Sequence, residues 1–250
     1  MSESLKKGID ALLFLSSKKS AGVTEIAQAL NVNKSTAFRI MRTYLAFNMV
    51  EQVKETGKYR LGPATLKLSQ QYYGNLCAVT AAKPVMSKLC EVTGESAHLC
   101  IYSNDSAVVI EQVIANSRPA ANAKIGNVEP LHCSAVGKCL LAFSDPERQS
   151  QMIAQIKFEK YTPNTITDKD ALNAQLTEIL KKGYAVDLGE LSPEIRCVAA
   201  PVFNNRGECN YSMGISGAAS RMTDEVIASI GTLLVKAASS VSAELGFAKP

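Results

Sequence analysis

Several things are scarce in this 250-residue sequence. It has two histidines, His98 and His132, so histidine-centred catalysis has little to draw on. Its cysteines stand at 77, 90, 100, 133, 139, 197 and 209, an odd number with no C-x-x-C pair. Neither a disulfide framework nor a structural zinc site has the spacing it needs. Cysteines inside apolar runs such as AHLCIY and KCLLAF read instead as reduced core residues. No apolar run reaches the ~18 residues that suggest a membrane span. The N-terminal MSESLKKGIDALLFL lacks a small-residue cleavage site. Its Leu5, Ile9, Leu12 and Leu13 are spaced as on an amphipathic helix, which argues against a signal peptide. These absences point to a cytoplasmic protein with no membrane partner, no metal and no cofactor.

What is present is globular: 46% hydrophobic and 20% charged residues, in a chain long enough for one large domain or two ordinary ones. The net charge of +4 is unevenly placed. Residues 1–62 carry ten Lys/Arg against five Asp/Glu, and the remainder 17 against 18. A basic first quarter suggests a polyanion partner for that part alone.

That quarter contains VTEIAQALNVNKSTAFRIMRTYL. Ile26, Ala27 and Leu30 share one helical face, with Thr24 as an N-cap candidate. Asn31 suits the left-handed residue of a tight turn. Ala37, Ile40, Met41 and Leu45 form the inner stripe of a second helix, and Lys34, Ser35, Thr36, Arg39, Arg42 and Thr43 its outer face. VEQVKETGKYRLG follows as a β-hairpin around Thr56-Gly57, decorated by Lys58 and Arg60. This is the pattern of a winged helix-turn-helix. The second helix would enter the major groove, with Arg39 reaching guanine edges, Ser35 and Thr36 touching bases or phosphates, and Lys34 a phosphate. The expected DNA contacts are Thr24, Lys34, Ser35, Thr36, Arg39, Arg42, Lys58 and Tyr59.

Beyond Pro63, ATLKLSQQYYGNLCAV reads as a connecting helix in which Tyr72 and Tyr73 could pack on their own domain or on a partner subunit. A helix bent or begun near Pro84 and closed by Gly94 follows. Two strands then flank a Ser-Asn-Asp turn in AHLCIYSNDSAVVIEQVIA. A helix opened by Thr167 or Asp168 and closed by Gly183 precedes the strands YAVDLG, CVAAPVFN and CNYSMGISG. A long amphipathic helix capped by Thr223 or Asp224 ends the chain. The fold class is α+β, an antiparallel sheet flanked by helices.

The stretch PLHCSAVGKCLLAF, 130–143, holds His132 and Cys133. In an extended chain these neighbours point to opposite faces and cannot form a dyad. Gly137-Lys138 lacks the earlier glycine and the following Ser/Thr of a phosphate loop. Ser134 remains as the N-cap of a helix from Ala135 to Phe143. The small residues at its start could admit an anionic group to the helix N-terminus, or simply pack on the sheet.

Taken in order, KSTAFRIMRTYL, YRLG, PLHCSAVGKCLLAF and GYAVDLGELSPEIRCVAAPVFNNRGE resemble the IclR family of bacterial transcription regulators over nearly the whole length. The resemblance implies a winged-helix domain (residues 1–62), a linker helix (63–76) and a GAF-like effector and oligomerisation domain (77–250), in homodimers or dimers of dimers. It implies a DNA operator as one partner and a small-molecule effector as the other, a small organic acid or related polar metabolite, with repression the more frequent outcome. Carried onto this chain, the effector pocket would involve Glu129, Ala135 and Val136 at the helix start, Asp187, Ile195 and Cys197 further on, Gly214 and Ser216 in the last strand, and Arg118 and Ala121 on a covering strand. Arg118 and Glu129 depart from the apolar residues of some members. If both line the pocket the effector is more polar than a simple aromatic acid; they could equally pair with each other or face water. The alternative is a DNA-binding module fused to a hydrolase-like domain using Cys133, His132 or Cys197.

Overall fold

The computed structural model describes residues 2–74 (backbone alone for 71–74), 77–115 and 124–248. The chain divides into two compact units, Met1–Asn75 and Leu76–Pro250.

In the first unit, helix α1 (Glu3–Ser16) buries Gly8, Ala11 and Leu15. Of the apolar residues spaced along it, Leu12 packs against the core, whereas Leu5, Ile9 and Leu13 face outward, each at least half exposed. Small residues on the inner face let α1 approach the rest of the unit closely, which leaves the larger leucines on the other side. Helix α2 (Val23–Ala29) is entered through Gly22, not Thr24: Gly22 is the N-cap, and its N–H donates to the Glu25 carboxylate at 2.6 Å. Asn31 takes the left-handed conformation, φ +50°, in the turn that follows. Asn33 then caps helix α3 (Lys34–Ala46), its Oδ1 accepting from the Thr36 N–H at 2.8 Å. Strands β1 (Val50–Gln52) and β2 (Tyr59–Leu61) pair antiparallel across a loop turned by Gly57, φ +67°. Ile26, Ala37, Met41, Val50 and Tyr59 form the core. Helix α4 (Ala64–Gly74) ends the unit; the expectations for Tyr72 and Tyr73 lie outside the described side chains.

The second unit opens with α5 (Cys77–Thr93), which runs through Pro84 without breaking and stops at Gly94, φ +71°. Strands β3 (Ser96–Ser103) and β4 (Ser106–Val113) form a hairpin whose two central residues, Asn104 and Asp105, are both left-handed, the geometry that matches strand twist. Then come β5 (Val128–Glu129), α6 (Ala135–Ala142), α7 (Pro146–Gln155), α8 (Lys169–Lys182), β6 (Ala185–Asp187), β7 (Ile195–Phe203), β8 (Cys209–Ala218) and α9 (Asp224–Glu244). Helix α7 was not foreseen, although Asp145 caps it and Pro146 opens it in the expected manner. The caps of α6, α8 and α9 are Ser134, Asp168 and Thr223.

The strands form one antiparallel sheet in the order β5-β4-β3-β8-β7-β6. Helices α5 and α9 pack on one face and α6 on the other, with α7 and α8 against α6. Helix α9 is long and apolar enough to cross a membrane by length and composition alone. It turns Ile227, Ile230, Leu234, Ala238 and Val241 into the core, where α9 meets β7 and β8. Residues 131–134 form a turn, so the opposite-face argument for an extended chain does not apply to His132 and Cys133; Ser134 reaches back to the Pro130 carbonyl at 2.7 Å and closes the turn.

Gly137 fixes how closely α6 sits on that turn. A Cβ there would lie 2.6 Å from both the Leu131 Cα and the Pro130 carbonyl oxygen, which are backbone atoms. Gly137→Ala is therefore expected to destabilise the second unit by about 1–3 kcal/mol. Urea unfolding of the full chain measures this; an unchanged midpoint would mean the turn yields at no cost.

Candidate functional site

Two surfaces carry the chemistry, one in each unit. On α3 the buried residues are Ala37 and Met41, with Ile40, Tyr44 and Leu45 packed beside them. The opposite face leaves Lys34, Ser35, Arg39 and Arg42 exposed and Thr36 half-buried. Ser35 Oγ donates to Asn33 Oδ1 at 2.8 Å, so the N-terminal turn of α3 is ordered before any partner arrives. Thr24 is exposed in the first turn of α2. Lys58, on the hairpin loop, stands 3.5 Å from Glu25, an exposed pair that leaves the ammonium accessible. Tyr59 corrects one expectation. Its side chain is 3% exposed, and its N–H and carbonyl pair with Ala21, each at 2.8 Å, so it anchors the hairpin to the core and offers DNA nothing.

In the second unit the sheet register brings several expected effector residues into one row. Asp187 in β6 lies opposite Cys197 in β7, and Cys197 opposite Ser216 in β8. The Cys197 thiol and the Ser216 hydroxyl are 3.0 Å apart. One step along, Gly214 lies opposite His98 in β3. A Cβ on Gly214 would meet the His98 ring at 2.5 Å and the Val136 methyl at 3.1 Å, so glycine is what lets the imidazole and the α6 wall close together. Ala135 and Val136 are buried in the first turn of α6, and Ile195 is half-buried at the outer end of β7. Glu129 lies half-buried on edge strand β5. Arg118 and Ala121 lie outside the described residues.

The electrostatics of this face are acidic and desolvated. Burial, reinforced by the Asp187 carboxylate, pushes Glu129 up to about 7. Burial also raises Asp187, against the pull of the Glu190 N–H and of Lys138. Its Oδ1 accepts that N–H at 2.6 Å. Beneath the row lies Lys138 on α6, with no solvent exposure at all. It forms an ion pair with Glu190 and donates to Gln175 Oε1 on α8 at 2.8 Å. The loop bearing Glu190 is tied again by Thr162 and Thr165, which donate to the carbonyls of Gly189 and Glu190 at 2.7 and 2.6 Å. The wall of the site is thus cross-braced from α6, α8 and the 162–165 segment.

The thiols are suppressed rather than activated. Burial and the nearby Asp187 and Glu190 push Cys133 up to about 12, and burial with the nearby Asp187 and Glu129 raises Cys197 well above its ordinary value. The His132 ring nitrogen bonds the Glu159 carbonyl at 2.9 Å, and burial drives His98 down to about 4, leaving it neutral. A thiolate–imidazolium couple has no support in these surroundings.

Sequence reasoning missed Lys138, whose role was weighed only as a failed phosphate loop. The signal was there: AVGKCLLAF is apolar all round, so its one cation had to be buried and paired. It also missed Gln112, whose side-chain Nε2 is buried without a hydrogen-bond partner and which lies opposite His98. That register follows a bulge at Leu99/Cys100, which nothing in the sequence marks.

Comparison with known proteins is consistent in both units. The family model "IclR helix-turn-helix domain" matches residues 4–54, and "Bacterial transcriptional regulator IclR C-terminal" matches residues 70–243. The HTH-type transcriptional regulator BhcR of Paracoccus denitrificans is 32% identical over 95% of this chain and 85% of its own. The HTH-type transcriptional repressor AllR of Escherichia coli is 30% identical over 98% of this chain and 90% of its own. Among solved structures, the IclR transcriptional regulator from Alicyclobacillus acidocaldarius superposes with a TM-score of 0.84 at 28% identity, covering 98% of this chain and 100% of that one.

Two outcomes are expected from the buried charges. Lys138→Met leaves Glu190 buried without its cation and should cost about 3–5 kcal/mol; adding Glu190→Gln should recover part of that loss in the same unfolding measurement, and no recovery would separate the two residues. Glu129 ionises near 7 in the folded chain against 4.5 otherwise, so the folded state holds the extra proton between those values. Its contribution to stability is full below pH about 4.5 and is lost as pH rises through 7. The thermal midpoint of Glu129→Gln should therefore fall less than that of the parent between pH 5 and 8, and parallel profiles would place the titration elsewhere.

Proposed function

The chain belongs to the IclR family of bacterial transcriptional regulators, and from that premise we propose that it is an effector-controlled repressor in which α3 reads a DNA operator and the Asp187–Cys197–Ser216 row receives a small organic acid or related polar metabolite. The family is one of DNA-binding regulators and not of enzymes. The observation that carries the reading is the separation of two chemistries. One unit exposes a cationic and hydroxyl-bearing helix face; the other buries carboxylates on a sheet face closed by a helix start.

In this reading Arg39 forms bidentate contacts to guanine, Lys34, Arg42 and Lys58 hold phosphates, and Ser35, Thr36 and Thr24 complete the interface. The effector must offer hydrogen-bond donors to Asp187, while Glu129, neutral below about pH 7, tolerates an acidic group nearby. Ala135, Val136, Ile195, Gly214 and Ser216 shape the remainder. Repression is supported by the relative AllR, named as a repressor. A homodimer, or a dimer of dimers, is supported by the outward Leu5, Ile9 and Leu13 of α1 and Leu66 and Leu68 of α4, apolar faces that a second copy would cover. Such a protein acts where the chromosome is, in the cytoplasm.

The two sites should separate genetically. A duplex selected by the full-length protein from a random-sequence pool serves as operator, and small carboxylates and sugar acids are screened by thermal shift. Arg39→Ala should weaken operator binding by about 1–3 kcal/mol and relax base preference, with thermal shifts by effector unchanged. Asp187→Ala should bind the operator normally and lose the effector response. An Asp187→Ala protein that still responds would move the effector site, and an Arg39→Ala protein with full selectivity would remove α3 from the groove.

A further inference from the structure

One residue on the DNA-facing stripe of α3 has no role in the reading above. Lys34, Ser35, Phe38, Arg39 and Arg42 follow one another at helical spacing along the exposed face, and Phe38 stands in the middle of it. Its side chain is 50% exposed and is absent from the residues packed on the core of its unit, which takes Ala37 and Met41 instead. We propose that Phe38 is a specificity-determining residue that reads thymine, its ring resting on the 5-methyl group of a thymine on the major-groove floor. The inference rests on α3 being the helix that enters the groove.

The chemistry narrows the choice. A phenyl ring neither donates nor accepts a hydrogen bond to a base edge, and it gains nothing from a phosphate. The thymine methyl is the one apolar feature that a base pair presents in the major groove, and phenylalanine is among the side chains suited to it. The cationic neighbours Lys34, Arg39 and Arg42 bring the polyanion to this face and leave the ring between them pressed toward the bases. Insertion between base steps is the other use of an aromatic wedge, and it belongs to proteins approaching from the minor groove. Arg39, adjacent on the stripe, fits guanine, so the site predicted for each copy holds a thymine beside a guanine.

Deoxyuridine tests this directly, because it removes the methyl and nothing else. The probe is the duplex selected by the full-length protein, with each thymine replaced singly by deoxyuridine, and binding is measured for the parent, Phe38→Ala, Phe38→Leu and Arg39→Ala. The parent should lose about fourfold at one thymine, the worth of one methyl group returned to water. Phe38→Ala should bind the intact duplex more weakly and be indifferent to deoxyuridine at that position, while Phe38→Leu keeps part of the sensitivity. Tolerance of every replacement by the parent, or equal sensitivity in Phe38→Ala, would overturn the assignment. Arg39→Ala tells the two failures apart. If it too binds with full affinity and selectivity, α3 does not read the operator; if it loses selectivity while Phe38→Ala does not, only the role of Phe38 falls.

Discussion

Helix α6 has no face for water, and the arrangement around the proposed effector site follows from that. All eight of its residues are buried, and one of them is a lysine. An ammonium without solvent requires a carboxylate and further acceptors, or it gives up its proton. Glu190 and Gln175 supply them from two other parts of the unit. The need to satisfy Lys138 therefore places the loop after β6, orders α8 beside α6, and sets the position from which the Glu190 N–H reaches Asp187. A packed apolar helix in the same place could slide on the sheet at small cost. A helix pinned by a buried ion pair has one register.

The sheet supplies the second constraint. Side chains alternate between faces, so a row across β6, β7 and β8 presents Asp187, Cys197 and Ser216 to the same side only if both pairings keep their register. The bidentate pairing of Arg221 with buried Glu95, at 2.6 and 2.8 Å, joins the segment after β8 to the start of β3 and holds that end of the sheet. Gly214 then permits what a larger residue would forbid, the approach of His98 to Val136.

Much of this was legible in the residues. The helix-turn-helix, its basic face, the hairpin, the Ser134 cap and the run of strands were written in local periodicity and in cap and turn residues, which act over a few positions. What was not legible depends on partners far apart in sequence. Tyr59 looked like a hairpin decoration because its alternation is ambiguous in three residues; its burial comes from Ala21, nearly forty positions away. Leu5, Ile9 and Leu13 carried the periodicity of an inner face, and the small Gly8 and Ala11 took that place because close approach outweighed side-chain size. The Lys138–Glu190 pair spans 52 positions and no spacing rule connects them. The row of effector candidates came from family resemblance, and the register explains why they belong together.

A regulator of this kind works only if its effector distinguishes two states of the protein, because a ligand bound equally by both changes nothing. The braced floor of the site bears on how that distinction can arise. Ala135, Val136 and Asp187 are held by α6, by the Lys138–Glu190 pair and by the loop bonds of Thr162 and Thr165. Shifting them means breaking a desolvated ion pair, which costs more than the roughly 1–3 kcal/mol by which a ligand commonly couples two sites. Glu129 titrates near neutrality beside the raised Asp187, and a charged or donor-bearing ligand changes how much negative charge this face can hold. The charge on this face is thus set by the burial of both carboxylates and by the repulsion of Asp187 on Glu129, over a floor that the buried ion pair holds in place.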